Sequence, residues 1–454
     1  MTEVGRMLWQ GCHVLRHEGV AYDEYVDQLS LLLFIKMNSE VSKKPTGVPT
    51  WKDLIAVESD HLLAAYESLL ARFAAEKGIV GEIFHGARSR FRSPDGLQAV
   101  LKILDSTHWS DLDRDVQGEA FEYLLERTAT EGKQGAGQYF TPRPLVKAVV
   151  ACLRPGAKPT DKVIADPASG TGGFLVEAVR FSGFRSGTTD EQFDVVGNEI
   201  VPRVRRMALM NLILHGVPHP SVELRDALSD EESTQAYDVV LANPPFGSRS
   251  GLRPSRSDFW VHTGNKQINF VQHISLSLRP GGRAAIILPD NCFSGDRSSV
   301  QLWERIFARN RVHTILRLPK GTFAPYAASV MTNVVFLNSE ESGTDETWIY
   351  DARANLRQPT GRSPINESDL AEFVDCFGHD PDGGALRTER TSSNGRWVRH
   401  TSKELHERSF KLERSIAGPE IAYSGDLEAS LVAVEDGLKG ALRAVRELRK
   451  IGHG

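Results

Sequence analysis

The sequence predicts an α/β fold, a mainly parallel sheet wound by helices and preceded by a helical domain, and three observations carry that reading. Past the glycine-rich link Glu131–Gly137, short apolar runs rich in Val and Ile alternate with helix-spaced stripes, which is the pattern of βαβ units. Upstream of the link, apolar residues recur at three- and four-residue steps and β-branched runs are sparse, as in amphipathic helices. The chain has 454 residues, 40% hydrophobic and 25% charged, an ordinary globular balance with room for roughly two to four domains.

Taken in chain order, Tyr22–Met37, His61–Ala75 and Glu119–Arg127 read as helices. The second carries Leu62, Leu63, Tyr66, Leu69, Leu70 and Phe73 on one stripe. These helices make an N-terminal helical domain over 1–128. Strands are expected at Lys162–Ala165, Phe193–Gly197, Tyr237–Ala242, Arg283–Leu288, Val312–Leu318 and Asn333–Leu337, with helices at Gly172–Arg180 and Val201–His215. They make an α/β domain over 129–345, and ligands of such sheets bind at the carboxyl ends of the strands. Residues 346–454 begin as a polar region, dense in Gly, Pro and Asp between Asn355 and Ser393. They close on a helical seam of Leu427, Leu431, Val434, Leu438, Leu442, Val445 and Leu448. Gly437 and Gly440 weaken that helix in isolation, so it needs something to pack on, either the chain's own core or a partner subunit.

Several classes are excluded. Cys12, Cys152, Cys292 and Cys376 are far apart, so neither a zinc ribbon nor a redox CxxC is encoded. His215 and His219 have helical metal-ligand spacing, but Pro218 breaks the helix that would align them; no metal site is expected. The most apolar stretch, Leu29–Met37, contains Ser30 and Lys36 and is far short of the ~20 residues needed to span a bilayer. With no signal peptide visible, a cytoplasmic location is expected. The net charge of −5 argues against a uniformly basic nucleic-acid coat but leaves local basic patches open.

The chemistry concentrates at strand ends. Asp166-Pro-Ala-Ser169-Gly170-Thr171-Gly172-Gly173-Phe follows the first strand and opens a helix, where glycines admit a ligand close to free backbone N–H groups. Leu175 stands where a dinucleotide fingerprint wants its third glycine, and no Lys follows as a P-loop would need. Asp166 instead suits a ligand with positive charge or donors, such as an amino-acid ammonium. Glu199 ends the next strand, placed to accept the two hydroxyls of a ribose. Asp226 follows the next helix and is placed to accept from an adenine amino group. The most specific signal is Asn243-Pro244-Pro245-Phe246. Two prolines stiffen that corner, so it holds an amide oxygen and a backbone carbonyl where they can accept both hydrogens of an exocyclic amine, while Phe246 offers a ring face to a base. Ahead of the first strand, Gly137-Gln138-Tyr139-Phe140-Thr141-Pro142-Arg143-Pro144 is kept from regular helix by its prolines, and its hydroxyl and N–H donors can close over a carboxylate. Arg249, Arg253, Arg256 and Lys266 outweigh Asp258 beside the corner, a balance suited to phosphates.

In this order, Gln138–Arg143, Asp166–Phe174 and Asn243–Phe246 resemble the amino-methylating DNA adenine methyltransferases of the γ arrangement. More narrowly, they resemble the modification subunit of type I restriction–modification enzymes. Supporting stretches are Gly118–Leu125, Met207–Leu212, Leu318–Phe323 and Thr332–Phe336. The resemblance covers about residues 10–350. It implies a Rossmann-like S-adenosylmethionine-dependent methyltransferase sheet in which Gln138, Tyr139, Phe140, Thr141, Pro142 and Arg143, with Ser169, Gly170, Thr171, Gly172 and Gly173, surround the methionine part of the cofactor. Asp166 would lie near its amino group, Glu199 on the ribose and Asp226 at the adenine. Asn243, Pro244, Pro245 and Phe246 would hold a flipped target adenine for methylation at N6.

Reading a DNA sequence requires contacts to base edges, and no obvious reader follows the sheet. The resemblance therefore implies a specificity subunit, two copies of this chain per specificity subunit, double-stranded DNA as substrate, and room for a separate restriction subunit, because neither a nuclease nor a Walker motif is present. Other expectations compatible with the corner are a stand-alone adenine methyltransferase with its own C-terminal reader, a methyltransferase for RNA, protein glutamine or cytosine N4, and a catalytically silent DNA-binding scaffold.

Overall fold

A computed structural model describes residues 3–41, 50–131, 140–183, 193–229, 236–246, 256–325, 327–340, 342–354, 357–387 and 395–412. Within it, Met1–Lys411 forms one compact unit. The first part is all helix: α1 (Glu3–His17), α2 (Tyr22–Val41), α3 (Trp51–Ile55), α4 (Ser59–Ala74), α5 (Ile79–Phe84), α6 (Pro94–Asp105) and α7 (Arg114–Glu131). Leu29, Leu31, Leu32, Leu33 and Ile35 of α2 are all fully buried. Together with Ser30, also fully buried, these positions lie around the whole circumference of the helix, so α2 is the central helix of this layer. Its Lys36 is buried as well, and is paired with Glu40 and Asp105 at 3.0 Å each. Local signals fix the helix starts. Ser93 caps α6 by accepting from Gly96 N–H, with Pro94 in the first turn. Thr50 and Asp53 form a capping box on α3.

The second part alternates: α8 (Arg143–Leu153), β1 (Val163–Asp166), α9 (Gly173–Phe181), β2 (Asp194–Glu199), α10 (Pro202–Leu214), β3 (Ser221–Leu224), β4 (Tyr237–Ala242), α11 (Lys266–Ser277), β5 (Leu278–Pro289), α12 (Arg297–Arg309), β6 (Arg311–Arg317) and β7 (Thr332–Asn338). The six expected strands and the two expected helices are all present, within a few residues at most ends. β8 (Glu346–Asp351), α13 (Glu367–Phe377), β9 (Trp397–Thr401) and α14 (Ser402–Glu407) then continue the same body. The sheet runs β3-β2-β1-β4-β5-β7-β6-β8-β9. β3 to β5 are mutually parallel, β7 is antiparallel to both its neighbours, and β8 is parallel to β6.

Two expectations need correction. The sheet does not end at 345: β8 pairs with β6, and β9 with β8, across a long polar excursion. Pro144 does not keep its segment out of a helix either. It sits in the first turn of α8, where a missing N–H costs nothing. The C-terminal seam from Leu427 to Leu448, like the link from 132 to 139, lies outside the described residues.

Registry sets the site. Asp166 is paired with Gly197, and Glu199 with Leu224. Because β3, β2, β1 and β4 are adjacent and parallel, Asp226, Glu199, Asp166 and Asn243 follow one another along the same carboxyl edge. None of the described helices is long and apolar enough to cross a membrane, and all four cysteines are buried and free.

Candidate active site

Two adjoining cavities lie along that edge. The smaller, about 60 Å³, is lined by Phe140, Thr141 and Arg143 on one side and by Asp166, Ser169, Gly170, Thr171 and Gly173 on the other. The larger, about 340 Å³, takes in Glu199, Asp226 and Pro245. Gly170 and Asn243 line both. Of the expected residues, Pro142, Gly172, Pro244 and Phe246 adjoin these walls without forming them, and Gln138 and Tyr139 lie outside the described residues.

The loop after β1 is shaped by its glycines. Gly170 and Gly172 have φ of +55° and +80°, a region L side chains rarely adopt. A Cβ on Gly170 would meet nothing within 4 Å; the residue is glycine for its backbone, and the space beside it is cavity. Ser169 N–H donates to Asn198 O at 3.0 Å, and Gly172 N–H to Ser169 O at 2.8 Å. From behind, Asn211 of α10 donates to Thr171 O at 3.0 Å.

Burial acts on both strand-end acids in the same direction. Asp166 is 2% exposed, and burial pushes its carboxyl up to about 8; an N–H bond from Ala168 pulls the other way, and Glu199 adds a smaller upward push. Asp166 has no ion-pair partner among the described residues. Burial also raises Glu199, against backbone N–H bonds from Val201, Ile200 and Gly170, so this acid ties the turn after β2 to the glycine loop as well as facing the cavity. Asp226 is exposed and accepts from Leu228 N–H at 2.9 Å, which folds the 226–228 turn over the larger cavity.

At the corner, Asn243 Nδ2 donates to Thr141 Oγ1 at 2.8 Å. Its Oδ1 is buried and has no hydrogen-bond partner among the described residues. Gln267 of α11 donates to Pro245 O at 2.6 Å. A buried polar atom without a partner costs free energy that a ligand can recover, so Oδ1 is an acceptor held ready.

Three side chains depart from expectation. Arg143 contributes to the cavity wall, but its guanidinium is ion-paired with Glu122 of α7 and lies 3.9 Å from Glu177 of α9. Burial pulls its ionisation down to about 10. Phe246 is only 5% exposed, its ring meeting Phe323 edge-on at 5.2 Å, so its face is covered in this state. Arg256 is 1% exposed, ion-paired with Asp258 and set over the Phe259 ring at 4.2 Å; it supports the Ala227 turn (3.4 Å to Ala227 O) and is not available to phosphates. Arg249 and Arg253 lie outside the described residues.

Sequence reasoning missed Phe270 on α11, Ile200 and Leu228, which line the larger cavity; Lys266, read from sequence only as part of the basic balance beside the corner, lines it too. Ile200 is 63% exposed, and an apolar residue directly after a strand-end acid was a usable signal. Phe270 was not visible beforehand, because helix periodicity does not say which turn faces a neighbouring strand end. Among the described residues no group of acids, His and Cys could hold a metal ion.

The family model described as N-6 DNA methylase matches residues 112–413. The chain is 38% identical over 415 residues to the type I restriction enzyme StySPI methylase subunit of Salmonella potsdam, covering 84% of this chain and 77% of that protein. The crystal structure of the type I restriction enzyme EcoKI M protein is 30% identical, covers 91% of this chain and 89% of its own, and superposes with a TM-score of 0.54. A chain from a structural study of assembly and conformational transition in a type I R-M system covers 99% and 98% with a TM-score of 0.77; at 24% identity it speaks for the fold.

Proposed function

Since the chain belongs to the N-6 DNA methylase family, as a methylase subunit of the type I restriction enzyme kind, we propose that it transfers a methyl group from S-adenosylmethionine to the N6 amine of an adenine flipped out of double-stranded DNA. The observation that supports this reading is Asn243 Oδ1, a buried acceptor without a partner among the described residues, on a residue that lines both cavities.

The residues fit that cofactor. Asp166 meets the smaller cavity with a carboxylate that burial disfavours, an arrangement stabilised by an ammonium. Glu199 and the Asp226–Leu228 turn border a larger space bounded by Ile200, Leu228 and Phe270, a nucleoside-like chemistry of hydroxyl acceptors between apolar walls. When bound, S-adenosylmethionine supplies an electrophilic methyl on a sulfonium.

The protein's own work is then placement. An adenine amine is a weak nucleophile because its lone pair is delocalised into the ring. N–H bonds to Asn243 Oδ1 and the Pro244 carbonyl draw that pair out toward the methyl. Asp166, Glu199 and the glycine loop would hold S-adenosylmethionine so that its methyl passes to that amine with its thioether as leaving group, the amine's surplus proton being lost to solvent. No side chain acts as a nucleophile; in-line positioning supplies several kcal/mol of the barrier reduction. Extruding the base costs a few kcal/mol, and stacking on an aromatic ring returns ~1–3 kcal/mol. For Phe246 this requires its covered face to open.

Sequence reading is delegated in this account. The described residues past 345 complete the sheet as β8 and β9 and form no separate reader. A specificity subunit, with two copies of this chain on it and a restriction subunit in the full assembly, supplies the rest, and a cytoplasmic location follows from its substrate. The test is Asn243→Ala in the complex reconstituted with its specificity subunit. Methyl incorporation into DNA should fall by at least about a hundredfold while S-adenosylmethionine still binds. Wild-type incorporation by the variant would overturn the reading.

A further inference from the structure

We propose that Thr141 is a positioning residue, whose hydroxyl decides which end of the Asn243 amide faces the target amine. The inference rests on the reading of Asn243 as acceptor for that amine. A primary amide presents an acceptor at one end and a donor at the other, and rotation about its terminal bond exchanges them. An exocyclic amine brings N–H donors to the corner, so only the oxygen end is productive; the nitrogen end would set donor against donor.

Nothing on the corner's own strand settles the choice. The prolines fix the backbone of the residues around Asn243 but not the torsion of its side-chain amide. That torsion is settled from elsewhere. Thr141, 102 positions earlier, accepts from Asn243 Nδ2 at 2.8 Å, which uses the donor end and leaves Oδ1 buried without a partner among the described residues, on a residue that lines both cavities.

Thr141 is itself well held. It immediately precedes Pro142, whose carbonyl accepts from Leu145 N–H at 2.9 Å and Val146 N–H at 3.0 Å, and both of those side chains are buried. The hydroxyl is therefore carried on the rigid start of α8. The far side of the corner is held by Gln267, whose amide donates to Pro245 O at 2.6 Å, on a helix capped by Asn265. The corner is thus gripped from two elements outside its own strand, and among the described residues Thr141 alone grips the amide. Thr141 also lines the smaller cavity, so a direct contact with cofactor is the competing role, and the two roles move different quantities.

The decisive comparison is Thr141→Val, nearly isosteric, against Thr141→Ser, which keeps the hydroxyl, in the assembled complex with its DNA. Three readouts are taken: the Kd for S-adenosylmethionine by calorimetry, single-turnover methyl transfer, and the melting temperature. Thr141→Val should leave the cofactor Kd within about twofold and slow transfer by roughly ten- to a hundredfold, while Thr141→Ser restores transfer to within about threefold. A cofactor Kd that weakens as much as transfer slows would overturn the proposal and assign the hydroxyl to the cofactor. So would unchanged transfer in the valine variant, or a serine variant as slow as valine. If valine lowers the melting temperature, Thr141→Ala under the same readouts decides instead. Asn243→Ala run in parallel separates the two levels: normal transfer there defeats the reading beneath, whereas its loss together with an indifferent Thr141→Val defeats the positioning role alone.

Discussion

Asp166, which the proposed function assigns to a cationic ligand, is buried at the expense of the free protein. Burial raises its carboxyl to about 8, from an ordinary value near 3.8. The folded chain therefore holds a proton between these values that the unfolded chain has released, and by linkage stability falls as pH rises across that window, levelling out above about 8. A cationic ligand reverses the balance, because it favours the carboxylate. Two outcomes follow. Binding of S-adenosylmethionine near pH 7 should release a proton, read as a binding enthalpy that changes with the ionisation enthalpy of the buffer. Asp166→Asn should raise the melting temperature of the ligand-free protein, more at pH 8 than at pH 5, while weakening cofactor binding by roughly ten- to a hundredfold. A variant that binds normally, or whose stability gain is the same at both pH values, would remove Asp166 from this role.

At the scale of elements, the strip past Asn338 reaches back to the site. Arg353, just after β8, holds both carboxylate oxygens of Asp290 at 2.6 and 2.7 Å, and also donates to Leu318 O at 2.9 Å and Thr332 O at 3.1 Å. Burial would push the Asp290 carboxyl up, but the hydrogen bonds and charge of Arg353 outweigh it and hold it below the usual range. Leu318 and Thr332 are the two ends of the loop that brings Phe323 against Phe246, so one guanidinium closes the loop over the corner. Arg353→Met should cost about 1–3 kcal/mol of stability and move the first site of limited proteolysis into 319–331; first cleavage elsewhere would refute the clamp. This element also marks where the sequence stops being legible. β1, β2 and β4 to β7 carry apolar runs that announce themselves. β3 buries only Val222 of its four residues, too little for a pattern. β8 and β9 pair across a long, mostly polar stretch interrupted by α13, so local composition reads as a tail. The site was legible where chemistry is encoded by residue type at a strand end, as at Asp166, Glu199 and Asn243. It was not where packing decides: the Arg256 charge spent on Asp258, the covered Phe246 ring, and the Thr141 acceptor and Gln267 donor that grip the corner.

For the molecule as a whole, the question is whether the change of texture near residue 128 is also a boundary of folding. One apolar cluster runs without a break from Leu8 in α1 to Trp397 in β9. Charged side chains cross the same line. Arg206 of α10 is buried and pairs with Asp27 of α2 while donating to the carbonyls of Ile83 and His85. Arg143 of α8 pairs with Glu122 of α7. Removing the helical layer would leave Arg206 without its carboxylate and two carbonyls, and breaking a buried pair from one side costs about 3–5 kcal/mol, a large share of the ~5–15 kcal/mol that holds a typical native state. It would also bare the apolar residues of α10 that face α2, α5 and α7. Residues 129–454 expressed alone should therefore fail to give a monomer with a sharp thermal transition, and the whole chain should melt its helical and sheet parts together. The check is calorimetry with probes in each part: Trp51 and Trp109 report the helical layer, Trp303 and Trp397 the sheet, each isolated by replacing the other tryptophans with Phe. Two separated transitions, or a stable and monomeric 129–454 fragment, would show that the two textures fold independently and that these buried pairs are an interface between domains rather than part of one core.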